Sequence, residues 1–239
     1  MARFFVETLP AAGEIFRLDG ENAQHAKVLR LRPGEEITLC DGRGLECSAA
    51  LTEAGEYLAG ETRPCPAEAA VSVTLYLAFP KADKLEHVIQ KAAELGAAEL
   101  VAVPSRYCVS RPDVKSLPKK LDRWQKIARA AAEQSRRGRI PAVRVLPSYA
   151  AALAEAARAD LPIFCYENEH SRTLRAAVEA GPFRTASIMT GAEGGFSDEE
   201  AGQAEAAGLK ICTLGRRILR CETAPLAALS ALMYAAGEF

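Results

Sequence analysis

The sequence predicts an α/β protein, a mostly parallel sheet covered by helices on both faces, preceded by a small β domain. Two observations carry this. From residue 71 onward, six short apolar runs of strand character alternate with segments whose apolar residues recur at helical spacing. Before that point, short runs alternate in polarity, the period of a half-buried strand. A chain of 239 residues with 49% hydrophobic content can bury a full core, and it divides most simply into two domains.

In the first part, strands at 36–40 and 45–49 flank Asp41-Gly42-Arg43-Gly44, whose glycines suit the positive φ values of a hairpin turn. Arg63-Pro64-Cys65-Pro66 then interrupts all periodicity, because two prolines disfavour both a helix and a central strand. The domain boundary falls there, giving 1–68 and 71–239. The second domain opens with a strand at 71–79, followed by a helix on which Leu85, Val88, Ile89, Ala92 and Leu95 share a face and which Gly96 ends. Further strands are expected at 99–103, 142–146, 162–166, 186–189 and 210–213, with helices near 118–136, 149–158, 171–180, 198–207 and 223–237. Ser197-Asp198-Glu199-Glu200 has the form of a capping box, and Thr223 can cap the last helix, with Pro225 tolerated in its first turn. That last helix carries Leu226, Leu229, Leu232, Met233 and Tyr234 and almost no polar face, so it is either central to the core or shared with a second copy of the chain.

Composition narrows the function classes. No apolar run approaches the roughly 18 residues of a membrane span, and the first residues lack the apolar segment of a secretion signal, which favours the cytoplasm. The seven cysteines include no Cys-x-x-Cys pair and read as small buried thiols, and His25, His87 and His170 lie too far apart in the sequence to suggest a metal site. The formal net charge of −1 hides a local excess: residues 106–139 hold eleven basic and three acidic side chains. In the helix within that stretch, Leu121, Trp124, Ile127, Ala128 and Ala131 line one face and Lys119, Arg123 and Lys126 another. A polyanion such as RNA is the natural partner for Arg106, Arg123, Lys126, Arg136 and Arg137, the alternative being a solvated face. A second basic cluster, His25 to Arg32, contains His25, Lys27, Arg30 and Arg32 and no acid, and it too could touch phosphate.

Two loops draw the chemistry together. Thr190-Gly191-Ala192-Glu193-Gly194-Gly195 follows one expected strand, and Leu214-Gly215-Arg216-Arg217-Ile218-Leu219-Arg220-Cys221-Glu222-Thr223-Ala224 follows another, so both should lie at one sheet edge, where α/β proteins bind ligands. The glycines allow close backbone approach, though their spacing alone equally fits a structural turn. It matches neither the dinucleotide nor the NTP phosphate pattern. Three arginines before a helix N-terminus suit stabilisation of a developing anion, or remain solvated; Ile218 and Leu219 suggest that this loop packs against something. Glu222 reads as a base or, more simply, as the partner of an arginine, since a carboxylate beside arginines is a weak base.

The run from Lys81 to Gly96, together with Arg123-Trp124-Gln125-Lys126-Ile127, Ala132-Glu133-Gln134-Ser135, Gly191-Ala192-Glu193-Gly194-Gly195 and the arginine loop, resembles the RsmE family of bacterial small-subunit ribosomal RNA uridine N3-methyltransferases. The resemblance implies a PUA-like N-terminal β-barrel that binds RNA and a SPOUT-class catalytic domain with a C-terminal trefoil knot. It also implies a homodimer, with 16S ribosomal RNA or the small ribosomal subunit as partner. S-adenosylmethionine would lie against Tyr166, Thr190, Gly191, Glu193, Gly194, Gly195, Leu214, Gly215, Ile218 and Leu219, with Arg220 stabilising the imidate and Glu222 orienting that arginine. The chain departs from the family pattern at Ala192, where proline is usual, and at Cys221, where threonine or alanine is usual. The first departure is expected to loosen the glycine loop. Alternatives are a SPOUT enzyme acting on another RNA or on a ribose 2′-hydroxyl, and an RNA-binding protein without catalysis.

Overall fold

The computed structural model describes all residues except Ala82, Ser110, Arg111, Pro112 and Val114. Arg111, which contributes to the basic count of 106–139, and Ala82, within the run resembling the family, therefore lie outside the described residues. The chain forms two compact units, one of Met1–Glu68 with Ala132–Ile140 and the other of Ala69–Ala131 with Pro141–Phe239.

The first unit contains β1 (Ala2–Phe5), β2 (Ile15–Phe16), α1 (Gly20–Leu29), β3 (Glu36–Cys40), β4 (Leu45–Leu51) and β5 (Tyr57–Pro64). These strands make one mixed sheet in the order β1-β3-β4-β5-β2, with β1 parallel to β3 and the other pairs antiparallel. The expected hairpin is β3 and β4, turning through Gly42 at φ 72 and Gly44 at φ 115. Phe4, Ile37, Leu39, Cys47, Ala49 and Tyr57 form its core. Residues 132–140 join this unit through Glu68, whose carboxylate pairs with Arg137 at 2.9 Å and accepts the Gly138 and Arg139 N–H groups. Periodicity could not reveal this, because the partners are far apart in sequence.

The second unit contains β6 (Ser72–Ala78), α2 (Lys84–Glu94), β7 (Glu99–Val103), α3 (Leu117–Gln134), β8 (Ala142–Val145), α4 (Tyr149–Ala156), β9 (Leu161–Cys165), α5 (Leu174–Glu179), β10 (Thr185–Thr190), α6 (Asp198–Ala206), β11 (Lys210–Cys212) and α7 (Ala224–Ala235). The last three residues of α3 belong to the first unit. All six strands pair in parallel, in the order β11-β9-β10-β6-β7-β8. Alternate side chains of each strand serve opposite faces, which explains two apolar clusters. Leu75 and Leu77 pack with Ile89 of α2, Trp124 of α3 and Leu229 and Leu232 of α7. Tyr76 and Ala78 pack with Leu153 of α4 and Ala204 of α6 on the other side.

Gly96 ends α2 at φ 93, with the Ala97 N–H returning to the Ala92 carbonyl. α7 buries Pro225, Ala228, Leu229, Leu232 and Met233, whereas Ala227, Ala231 and Tyr234 face outward and Tyr234 is 73% exposed. One face of α7 is therefore core and the other uncovered within the chain. Among the described residues, no helix is long and apolar enough to cross a membrane.

Candidate active site

Register brings three loops to one edge of the six-stranded sheet. Phe164 of β9 opposes Met189 of β10 and Ile211 of β11, and Cys165 opposes Cys212, so the chain leaves all three carboxyl ends at the same level. The segments that follow wall a cavity of about 550 Å³. Its lining draws on residues 165–170, 190–195 and 213–221, with Lys84 and Ala224. That volume falls within the range of small-molecule sites.

The glycine loop is held from both ends. The Gly195 N–H donates to the Ala192 carbonyl at 3.0 Å, closing a tight turn. Gly195 has φ 64, and a Cβ there would lie 1.6 Å from Glu167 Oε1. A Cβ on Gly191 would lie 2.8 Å from the Gly195 backbone. These are two different needs for glycine, a left-handed conformation at one position and close backbone contact at the other. Beyond the loop, Phe196 is buried with its ring 4.4 Å from Phe164. The capping box forms as expected: Ser197 Oγ accepts from the Glu200 N–H at 3.2 Å and Glu200 Oε2 accepts from the Ser197 N–H at 3.0 Å. Ala192, despite the loosening expected there, is buried.

The wall after β9 is Tyr166, Glu167, Asn168 and His170. Tyr166 is buried, and its hydroxyl donates to Asp198 and accepts from Asn168 Nδ2. Desolvation against the glycine loop pushes the Glu167 carboxyl above its ordinary pKa. Thr190 is 2% exposed, and its Oγ1 is buried with no hydrogen-bond partner among the described residues.

The arginine loop departs from expectation in three ways. Ile218 is 85% exposed, against the packing expected of it, whereas Leu219 is half-buried. Glu222 pairs with Lys84 at 3.2 Å rather than with an arginine, which leaves Arg220 exposed and lining the cavity without an ion pair among the described residues. Thr223 stands at the N-cap of α7 but in helical conformation, φ −88 and ψ −40, and makes no side-chain cap. The Arg220 carbonyl starts that turn instead, accepting from the Thr223 and Ala224 N–H groups. A capping side chain works from an extended backbone, which Thr223 lacks.

Of the cofactor residues expected from sequence, Tyr166, Thr190, Gly191, Glu193, Gly195, Leu214, Gly215, Ile218 and Leu219 line this cavity. Gly194 does not; it faces Tyr107, whose Cβ would be 2.8 Å from a Cβ at Gly194. Lys84 was not among the expected residues, and Glu167 was not singled out although the resemblance implies a cofactor loop at the end of the 163–167 strand. Both are distant in sequence from the glycine and arginine loops, and the Lys84 segment was marked by helical periodicity and by the family resemblance of Lys81–Gly96, neither of which assigns Lys84 to the cavity.

The basic residues divide between the units. His25, Lys27, Arg30 and Arg32 are exposed on or just after α1, a helix with no buried residue, and Arg136 is exposed in the same unit. Arg137 is 3% exposed and held by Glu68, so its guanidinium supports the first unit rather than an open basic surface. In the second unit Arg106, Arg123 and Lys126 are exposed, paired with Glu199, Glu86 and Asp122. The local excess read from 106–139 is thus partly neutralised, by Glu68, Glu86 and Glu199 from outside the stretch and by Asp122 within it.

A parallel sheet with a loop-walled cavity at its carboxyl edge, accompanied by a small mixed sheet, defines an α/β protein that binds a small molecule at its strand ends. A family model described as an RNA methyltransferase domain matches residues 67–233, and one described as an RNA methyltransferase PUA domain matches residues 18–56. The Ribosomal RNA small subunit methyltransferase E of Bacillus subtilis (strain 168) is 33% identical, with 98% of this chain and 96% of the relative covered. The chain belongs to the ribosomal RNA small subunit methyltransferase E family. The protein of that name from Mycobacterium bovis is 32% identical over 96% of this chain and 90% of its own. Among solved structures, the Neisseria gonorrhoeae enzyme bound to S-adenosyl methionine has a TM-score of 0.81 at 33% identity, covering 98% of this chain and 97% of that one.

Proposed function

We propose that the protein transfers a methyl group from S-adenosylmethionine to N3 of a uridine in 16S ribosomal RNA of the small subunit. The observation that carries this reading is the cavity at the ends of β9, β10 and β11, in a chain whose relatives are named ribosomal RNA small subunit methyltransferase E. The cavity suits the cofactor, since it joins close-approach glycine backbone to a buried Thr190 hydroxyl that has no partner among the described residues. When bound, the cofactor supplies an electrophilic methyl group on a sulfonium sulfur.

This chain's residues do the rest. Gly191, Gly195, Leu214 and Gly215 offer backbone groups, with Tyr166, Ile218 and Leu219 beside them. Arg220 stabilises negative charge on the pyrimidine as the N3 proton leaves. Glu222 acts through Lys84 and has no direct part in orienting Arg220. RNA phosphates meet the exposed basic residues of each unit, His25, Lys27, Arg30, Arg32 and Arg136 in the first and Arg106, Arg123 and Lys126 in the second.

The C-terminal segment is proposed to be knotted, as a SPOUT domain would be. Its support is that β11 lies outside β9 while α7 returns to pack on β10, β6 and α2. The first unit's sheet is proposed to serve as a PUA-like barrel. A homodimer is proposed on the uncovered side of α7, where Ala227, Ala231 and Tyr234 face outward, and on exposed Ile218. The cytoplasm, where ribosomal RNA is found, is the proposed location.

Incubating the protein with labelled cofactor and small-subunit RNA, then mapping the product by mass spectrometry, tests the reading. N3-methyluridine at one position is expected. Methyl on a ribose hydroxyl or on another RNA would replace the reading with another SPOUT activity, and an absence of cofactor binding would leave an RNA-binding protein.

A further inference from the structure

Lys84, the first residue of α2, joins the two loops whose backbones wall the cavity. Its Nζ lies 3.1 Å from Glu193 Oε1 in the glycine loop and 3.2 Å from Glu222 Oε2 at the end of the arginine loop. Glu193 Oε1 also accepts the Lys81 N–H at 3.0 Å, which anchors the loop to the chain just before α2. Cys221 Sγ lies 3.2 Å from Glu222 Oε2 and 3.7 Å from Lys84 Nζ. One ammonium thus receives a carboxylate from each wall, and the three segments come together only in the fold.

We infer that Lys84 is a positioning residue, an electrostatic clamp that sets the separation of the glycine and arginine loops and so holds the cofactor cavity at its working width. The inference rests on the proposed cofactor reading and deepens it. A single exposed ion pair contributes little. This case differs because removing the ammonium leaves two carboxylates, each within 3.2 Å of one point, to repel each other across the two walls. Both carboxyls are held below and the ammonium above its usual range, Lys84 through its bonds to Glu193 and Glu222. The sign follows from linkage. The carboxylates contribute above their unfolded pKa and lose that contribution as pH falls through the lowered values. The ammonium contributes below its unfolded pKa and loses that contribution only as pH rises through the raised one. The clamp is therefore closed across neutral pH.

The test compares K84M, K84R and K84M/E222Q with the wild type by calorimetric titration of S-adenosylmethionine, by steady-state kinetics and by thermal melting. K84M is expected to weaken cofactor binding on the order of tenfold, with KM for cofactor rising by a larger factor than kcat falls. K84R should recover most of the loss. K84M/E222Q should bind more tightly than K84M, because it removes the repulsion left behind. Wild-type affinity in K84M, or a double variant weaker than the single one, overturns the clamp. So does a loss in K84M that tracks a fall in Tm and is not rescued by arginine. If the wild type binds no cofactor, the proposed function fails first, and hydrogen exchange then decides the clamp. K84M should speed exchange in 190–196 and 214–223 together, and a change in neither loop refutes it.

Discussion

Gly195→Ala isolates what the glycine loop requires. At φ 64, an alanine costs about 1–2 kcal/mol, because its Cβ crowds the backbone in the left-handed region. The same Cβ would lie 1.6 Å from Glu167 Oε1 and 2.5 Å from its Cδ, so the carboxylate must leave its position on the cavity wall. Backbone strain alone predicts a Tm loss of about 2–8 °C for a chain of this size. Displacing Glu167 should add a loss of cofactor affinity. Glu167→Ala in the same chain removes the collision but not the strain, so the double variant should be better than the sum of the singles by at least about 0.5 kcal/mol. Gly191→Ala serves as the control, because its Cβ would strike the Gly195 backbone, which no change at position 167 relieves. Melting curves and calorimetric titration with S-adenosylmethionine measure both quantities. Additive effects of Gly195→Ala and Glu167→Ala, or an unaltered Tm in Gly195→Ala, would refute the argument.

Other outcomes follow from the same geometry. Arg220→Ala should lower kcat on ribosomal substrate by on the order of 10²-fold with a smaller change in cofactor affinity, as expected for a group that stabilises developing charge; retained turnover removes Arg220 from the mechanism. Arg137→Ala leaves the Glu68 carboxylate without its guanidinium partner and should destabilise the first unit by about 3 kcal/mol. Arg30→Ala should weaken RNA binding with little change in Tm, and equal Tm losses for these two would contradict their contrasting exposure. Because the Glu167 carboxyl is raised by desolvation, its ionised form costs stability, a cost absent below the unfolded pKa and growing as pH rises through the raised one. Glu167→Gln should therefore melt higher than wild type at pH 7, with the difference vanishing toward acid pH; a difference that grows in acid has the wrong sign. If about four phosphates of single-stranded RNA are engaged, log affinity should fall with log salt at a slope of roughly −3, and a flat response excludes the basic residues as the contact.

Local chemistry made much of this protein legible before any fold was known. The six strands and six helices of the second unit follow from apolar period and from punctuation such as Gly96 and Ser197, because a residue's neighbours along the chain decide which face it can bury. The β3–β4 hairpin was readable for the same reason, through Gly42 and Gly44. By contrast, α1 buries no residue and so carries little apolar pattern, and β1, β2 and β5 went unread, Ile15–Phe16 being too short to show a period.

Of the site, the glycine and arginine loops were visible as sequence because their composition is unusual wherever they fold. Their partners were not. Lys84 meets Glu193 and Glu222, Glu167 lies against Gly195, and Glu68 holds Arg137, in each case across a distance in sequence that no local window spans. Thr223 has the residue type of a cap and the wrong backbone for one. Residue type and period state what each segment can do; which carboxylate neutralises which cation depends on sheet order and register, and those arise only when the strands pair.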